Sequence, residues 1–389
     1  MEHHGRHVKV WNLLRPIVEL LVNILFNCKT KKYSPQGPYL VLANHVTDLD
    51  PLIVGASFPQ QMYFVTSEHL MRQGFISRVL DWLLSPITRQ KGGNAAGTVK
   101  AILRHLKAGY NVCFFPEGNR TWDGVTRAFP EATGKLARSG GCTLVTYRIS
   151  GGYFSSPRWS GSSLRRGKLR GELVGTYSPQ ELRAMSADEI NRLIARDLYV
   201  DAYAQQQAEP VSFKGSKLAE NLETLIFTCP KCGAMHRMGS RGNRFFCLSC
   251  GMETEYTATG FFSGGELPFD NVRDWNAWQE DKIRALCENA GDELIFSDSE
   301  MELYTVSSGK GKEALGSGEL RLYADRMELP GGVTLKKEEI SGMSMRGAMV
   351  LYIGASDGSH YELRSEKTRC TVKYLSACTC LGWAVGVGV

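Results

Sequence analysis

The sequence predicts an α/β domain, a mixed sheet with flanking helices, followed by a small cysteine-centred module and a small mainly-β C-terminal domain. Three observations carry that prediction. Apolar runs of strand length alternate with amphipathic segments between residues 39 and 149. Two Cys-x2-Cys pairs stand at 229–232 and 247–250. From about 292 onward, short alternating runs are separated by Gly-rich and Asp-Gly turns. A chain of 389 residues exceeds one ordinary core, and 43% hydrophobic with 22% charged residues excludes a disordered chain. The expected divisions are an N-terminal amphipathic helix at 1–34, the α/β domain at 35–208, the cysteine module at 222–262 and a helix plus β domain at 268–389.

The N-terminal segment Val8–Phe26 is strongly apolar but interrupted by Lys9, Asn12, Arg15, Pro16, Glu19 and Asn23. Charges inside the run exclude a spanning helix and favour one lying in the headgroup plane, anchored by Trp11 and flanking cations. The same segment can also pack on the domain. Arg6, Lys9, Arg15, Lys29, Lys31 and Lys32 face only Glu2 and Glu19, whereas the whole chain has a net charge of +6. This local excess points to an anionic membrane surface rather than nucleic acid. Eleven cysteines, an odd number, with no secretory signal expected, suit a reducing cytosolic setting and a peripheral position on the inner face of the cell membrane.

Tyr39–Ala43 reads as a buried strand, and Pro51 as the first turn of a helix. Between them lies Asn44-His45-Val46-Thr47-Asp48-Leu49-Asp50. Asp50 follows His45 by five positions, so a helix start can bring its carboxylate to one imidazole nitrogen and leave the other free to take a proton. No serine accompanies the pair, which makes a substrate hydroxyl the expected nucleophile. A catalytic metal on His45 and Asp50 is disfavoured, because no further histidine cluster lies near them in sequence. Downstream, Gln61–Thr66 and Asn111–Phe115 read as strands, Phe75–Leu84 and 95–108 as helices, and Thr143–Ile149 as another strand. Capping patterns at Ser178 and Ser186 start two more helices, and Gln205–Pro210 is a boundary.

Asn44-His45-x4-Asp50-Pro51 and Phe115-Pro116-Glu117-Gly118-Asn119-Arg120, about 70 residues apart, resemble the motifs of the PlsC-like glycerolipid acyltransferases, typified by 1-acyl-glycerol-3-phosphate acyltransferase. The resemblance spans roughly 35–200. It implies transfer of a fatty acyl group from acyl-coenzyme A or acyl carrier protein to a hydroxyl of lysophosphatidate, with His45 as base and Asp50 as its orienting partner. It further implies substrate-binding roles for Asn44, Arg89, Glu117, Gly118 and Arg120. Arg89 and Arg120 suit phosphate, because a guanidinium fork matches its oxygens. Glu117 either accepts from a glycerol hydroxyl or holds Arg120 in place. Where the family has a proline, this chain has Thr146-Tyr147. Other acceptors, such as glycerol 3-phosphate, another lysolipid or an amino-lipid, and a non-catalytic lipid-sensing scaffold remain alternatives. The basic stretch Arg165-Arg166-Gly167-Lys168 suits coenzyme A phosphates, an acyl carrier protein, anionic lipid or plain solvent.

Cys229-x2-Cys232-Gly233, a 14-residue gap, and Cys247-x2-Cys250-Gly251 have the spacing of a zinc ribbon. Four thiolates close the tetrahedral shell, so the expected Zn2+ is structural and His236 a bystander. Arg237, Arg241, Arg244 and Phe245-Phe246 form no extended basic or aromatic stripe, which argues against nucleic acid. Asp270–Asn289 reads as a helix, and 302–306, 319–323, 326–329, 349–353 and 360–363 as strands of a small barrel or sandwich. A closing helix at about Thr368–Trp383 makes this module similar to a pleckstrin-homology-like domain, a candidate site for a protein partner.

Overall fold

A computed structural model describes residues 3–67, 81–89, 96–161, 164–307, 311–347, 349–366 and 370–385. They form two compact units, one of the described residues within 3–157 and 164–215, the other of those within 158–161 and 216–385.

The first unit is built on a six-stranded sheet. Its strands are β1 (Tyr39–Ala43), β2 (Met62–Ser67), β3 (Ile87–Arg89), β4 (Asn111–Phe114), β5 (Thr143–Ser150) and β6 (Arg170–Tyr177), in the order β3-β2-β4-β1-β5-β6. All neighbours pair in parallel except β6, which runs antiparallel to β5. The sheet is therefore mixed: the alternation of strand-like and helix-like segments accounts for its parallel part, and β6 adds an antiparallel edge.

Every residue of β1 is buried, as a strand covered on both faces requires. Tyr39, Val41 and Ala43 join one core with Val22 and Phe26 of α1 (His4–Phe26) and with Ile53 and Val54 of α2 (Asp50–Ser57). Leu40 and Leu42 join the opposite core with Ile102 and Leu106 of α3 (Ala96–Lys107) and with Leu136 of α4 (Ala132–Ser139). Ile190 and Ile194, from a later helix, complete that second core. Beyond β5 come α5 (Gly152–Ser155), α6 (Pro179–Ala184), α7 (Ala187–Leu198) and α8 (Ala202–Ala208). Both expected capping boxes are present, Ser178 with Glu181 and Ser186 with Glu189. The helix expected at Phe75–Leu84 lies mostly outside the described residues.

The second unit opens with a four-stranded antiparallel sheet, β7 (Met238–Arg241), β8 (Arg244–Cys247), β9 (Glu253–Tyr256) and β10 (Phe262–Ser263), followed by α9 (Val272–Asn289). A seven-stranded antiparallel sheet follows, of β11 (Phe296–Ser307), β12 (Gly311–Leu322), β13 (Arg326–Leu329), β14 (Val333–Lys336), β15 (Ile340–Arg346), β16 (Val350–Ala355) and β17 (His360–Arg364). Its order is β14-β13-β12-β11-β17-β16-β15, and α10 (Val372–Cys380) comes after it.

Candidate active site and cysteine cluster

The parallel strands all end on one edge of the sheet, the usual place for chemistry in open α/β folds. His45 lies two residues past β1, Glu117 three past β4, and Arg89 closes β3. At about 4.8 Å per strand, Arg89 stands about 14 Å from the end of β1 across the sheet.

His45 Nδ1 and Asp50 Oδ2 are 2.8 Å apart. Asp50 is fully buried, and its carboxylate also accepts from the Val46 N–H at 2.7 Å, the Thr47 N–H at 3.0 Å and the Thr47 hydroxyl at 2.7 Å. With its oxygens held this way, the carboxylate fixes the imidazole tautomer and orients the ring. The ring stacks on Phe115 at 4.6 Å between centroids, and the side chain keeps 20% exposure. A half-open imidazole with one nitrogen held by a buried carboxylate is the arrangement of a general base.

Two residues expected beside the substrate, Asn44 and Glu117, have other partners. Asn44 is fully buried; its Nδ2 donates to the Ile149 carbonyl at 2.9 Å, and its Oδ1 accepts from the Ile149 N–H at 2.7 Å. It continues the β1–β5 pairing through a side chain and so sets where the His45 loop leaves the sheet. Glu117 is buried too: one oxygen accepts from the His45 N–H at 2.8 Å, the other from the Arg127 N–H at 2.7 Å. Burial pushes its carboxyl up to about 8, against the pull of those two donors. Glu117 thus ties the loop after β4 to the peptide of the base. Gly118, with φ of 66°, closes a turn through its N–H to the Phe115 carbonyl at 3.0 Å.

Arg120 reaches the same loop. Its Nε meets Asp48 Oδ1 at 3.0 Å, and its Nη1 donates to the Ser156 carbonyl at 3.3 Å. Arg89 is half-buried, which depresses its basicity by desolvation, and it has no hydrogen-bond or ion-pair partner among the described residues. A desolvated guanidinium with no partner among the described residues, at the edge where the parallel strands end, suits an anion. Thr146, where the resembling family has proline, donates to the buried Asp197 at 2.8 Å, and Tyr177 donates to the same oxygen at 2.6 Å. The hydroxyl serves the fold.

In the second unit the sulfurs of Cys229, Cys232, Cys247 and Cys250 lie within 4.8 Å of one another. Two pairs, Cys229–Cys250 and Cys232–Cys247, are 3.7 and 3.8 Å apart. Four sulfurs about 2.3 Å from a tetrahedral Zn2+ stand about 3.8 Å apart, so these thiols fit that ion. The two turns are alike, with the Gly233 N–H on the Cys229 carbonyl and the Gly251 N–H on the Cys247 carbonyl, each at 3.0 Å. His236 stacks on Phe227 at 5.5 Å and meets the Lys373 ammonium at 3.2 Å, apart from the cysteine set.

Residues 25–150 match the family model described as Acyltransferase. The chain is 29% identical over 108 residues to the 1-acyl-sn-glycerol-3-phosphate acyltransferase of Borreliella burgdorferi, covering 27% of this chain and 43% of that protein. It is 27% identical over 145 residues to the chloroplastic 1-acyl-sn-glycerol-3-phosphate acyltransferase LPAT1 of Arabidopsis thaliana, covering 35% and 38%. The chain thus spans about two fifths of the length of these curated relatives. Among solved structures, the PlsC acyltransferase of Thermotoga maritima matches with a TM-score of 0.40 and 16% identity, covering 51% of this chain and 80% of that one. Over residues 25–150 the chain therefore matches the Acyltransferase family model, and there it resembles the 1-acyl-sn-glycerol-3-phosphate acyltransferases.

Proposed function

We propose that the protein moves a fatty acyl group from a thioester to a hydroxyl of lysophosphatidate while resting on a membrane surface. The observation that carries this reading is the His45–Asp50 pair at 2.8 Å on the active edge. The free imidazole nitrogen takes the proton of the acceptor hydroxyl, whose oxygen attacks the thioester carbonyl. Collapse of the tetrahedral adduct breaks the C–S bond, and the departing thiolate takes the proton back, leaving ester and free thiol. Asp50 stabilises the imidazolium in between. Unpaired Arg89 supplies the counter-charge for the acceptor phosphate, and Arg120 lies beside the His45 loop.

The cysteine cluster holds a structural Zn2+ in a zinc ribbon, and the seven-stranded sheet with α10 forms a pleckstrin-homology-like module. The sulfur spacing supports the first reading, and a run of antiparallel strands closed by one C-terminal helix supports the second. No helix among the described residues is long and apolar enough to cross a membrane. The exposed apolar residues of α1, Leu13, Ile17, Leu20, Leu21 and Ile24, favour a helix lying in the headgroup plane at the inner membrane face.

Thiol release from acyl-coenzyme A or acyl carrier protein thioesters, with and without lysophosphatidate, tests the reaction. Release that needs lysophosphatidate is expected. Release only with a different acceptor, such as glycerol 3-phosphate, would replace the acceptor, and silence with every acceptor would favour the scaffold. Elemental analysis should find about one zinc per chain.

A further inference from the structure

Beside the catalytic loop, on the other side of α5, lies a cavity of about 260 Å³. Ser150, Gly151 and Phe154 line it, while Gly152 of the same segment packs so closely on Val46 that a Cβ there would come within 2.4 Å of it. The cavity and the His45 loop thus share one wall. The opposite wall brings Phe213 against Phe154, with ring centroids 5.4 Å apart, together with Lys168 and Arg170. The stretch 164–170 alternates, with Arg165, Gly167 and Leu169 buried and Arg166, Lys168 and Arg170 exposed. The three cations therefore project from one side at about 7 Å intervals. Lys214 joins them through a bridge to Arg166, whose N–H donates to the Lys214 carbonyl at 2.8 Å.

Two of these cations, Lys168 and Arg170, meet Glu209, and Arg170 grips both of its carboxylate oxygens. Arg166 and Lys214 have no side-chain partner among the described residues. A bidentate fork of this kind takes phosphate as readily as carboxylate. We propose that this cavity and its cationic ridge hold the phosphopantetheine arm of the acyl donor. Its phosphate lies on the ridge and competes with Glu209 for Arg170, and its amide chain runs past Phe154 and Phe213 toward His45. The inference rests on the proposed acyl transfer and names the donor side of the same site. Coenzyme A and acyl carrier protein both present this arm.

Calorimetric titration of the full chain with coenzyme A and, separately, with holo acyl carrier protein tests it without any acceptor. The double variant R166E/K214E should weaken binding at least about tenfold, the scale of a lost charge-assisted contact. E209Q, which removes the competing anion, should tighten it. In turnover, the donor KM should move in the same two directions with the lysophosphatidate KM unchanged. Whichever thiol binds and obeys this pattern identifies the carrier. The opposite signs also separate the result from misfolding, which would weaken both variants. Unchanged affinity in R166E/K214E, weaker binding by E209Q, or no binding of either thiol would overturn the proposal. A silent transfer assay alongside the expected titrations would instead remove lysophosphatidate as acceptor and leave the donor site standing.

Discussion

In the proposed transfer the imidazole at position 45 takes the proton, and three neighbours decide where it stands: Asp50 through the ring, Asn44 through the strand and Glu117 through the peptide. Glu117 is the most testable of these. Both of its oxygens accept backbone N–H bonds, and glutamine offers one acceptor, so E117Q leaves a buried N–H facing an amide NH2. An unsatisfied buried donor costs about 1–3 kcal/mol. The variant should therefore unfold more easily by that amount and lose kcat, with little change in the lysophosphatidate KM. A rise in that KM alone, with stability intact, would put Glu117 at the substrate instead. The folded protein holds the Glu117 proton up to about pH 8, whereas an unfolded chain releases it near 4.5. The contribution is therefore complete below about pH 4.5 and is lost as pH rises through 8. Chemical denaturation of wild type and E117Q across this window should show their stability difference shrinking toward alkaline pH. The His45–Asp50 pair is legible in the sequence because five residues and a helix start are local geometry. The backbone partners of Asn44 and Glu117 are not, because Ile149 and Arg127 meet them only once the sheet and the loop after β4 have formed.

Among the elements, α1 has an unusual division of labour. Trp11, Val22 and Phe26 are buried, while Leu13, Ile17, Leu20, Leu21 and Ile24 are 43–73% exposed. Each fully buried Leu or Ile contributes roughly 1.5–3 kcal/mol, so the exposed stripe can add several kcal/mol on entering a lipid interface. I17E/L20E should therefore bind anionic vesicles at least about tenfold more weakly in sedimentation, with its circular dichroism preserved; undiminished binding would assign the stripe to another surface. The sequence shows that this helix is apolar and charge-broken, but not which apolar residues pack inward. β1 is legible because it is an uninterrupted buried run, and β5 because its residues 144–147 are all buried. The expected strand 302–306 lies within the 12-residue strand β11, and 319–323 lies within the 12-residue β12 except for Tyr323, just past its end. Their remaining residues, including Asp298, Glu300, Gly316 and Gly318, hide the alternation, and two register shifts interrupt the pairing. β6, Arg170–Tyr177, is half-polar and gives no apolar run to read, yet it is the antiparallel strand that makes the sheet mixed.

Across the whole molecule, the His45–Asp50 pair lies in the unit with the parallel strands and the four clustered cysteines lie in the unit of Ser216–Gly386. A four-thiolate site contributes folding free energy directly, so chelation should destabilise the second unit. Trp275 is a local reporter: it is fully buried, donates to the Thr228 carbonyl at 3.0 Å, and packs on Phe245 and Phe262 at 5.5 and 5.4 Å. Chelation should red-shift its fluorescence, and zinc should restore it; an unmoved spectrum after metal removal would make the cluster dispensable. The proposed transfer stands on His45. Its most direct test is phosphatidate formation from an acyl thioester and lysophosphatidate by wild type and His45→Ala, with circular dichroism and zinc content measured on both. General-base help is worth about 10²- to 10⁴-fold, so the variant should lose at least that much while keeping its fold and metal. An equally folded variant that makes phosphatidate at the wild-type rate would contradict the account.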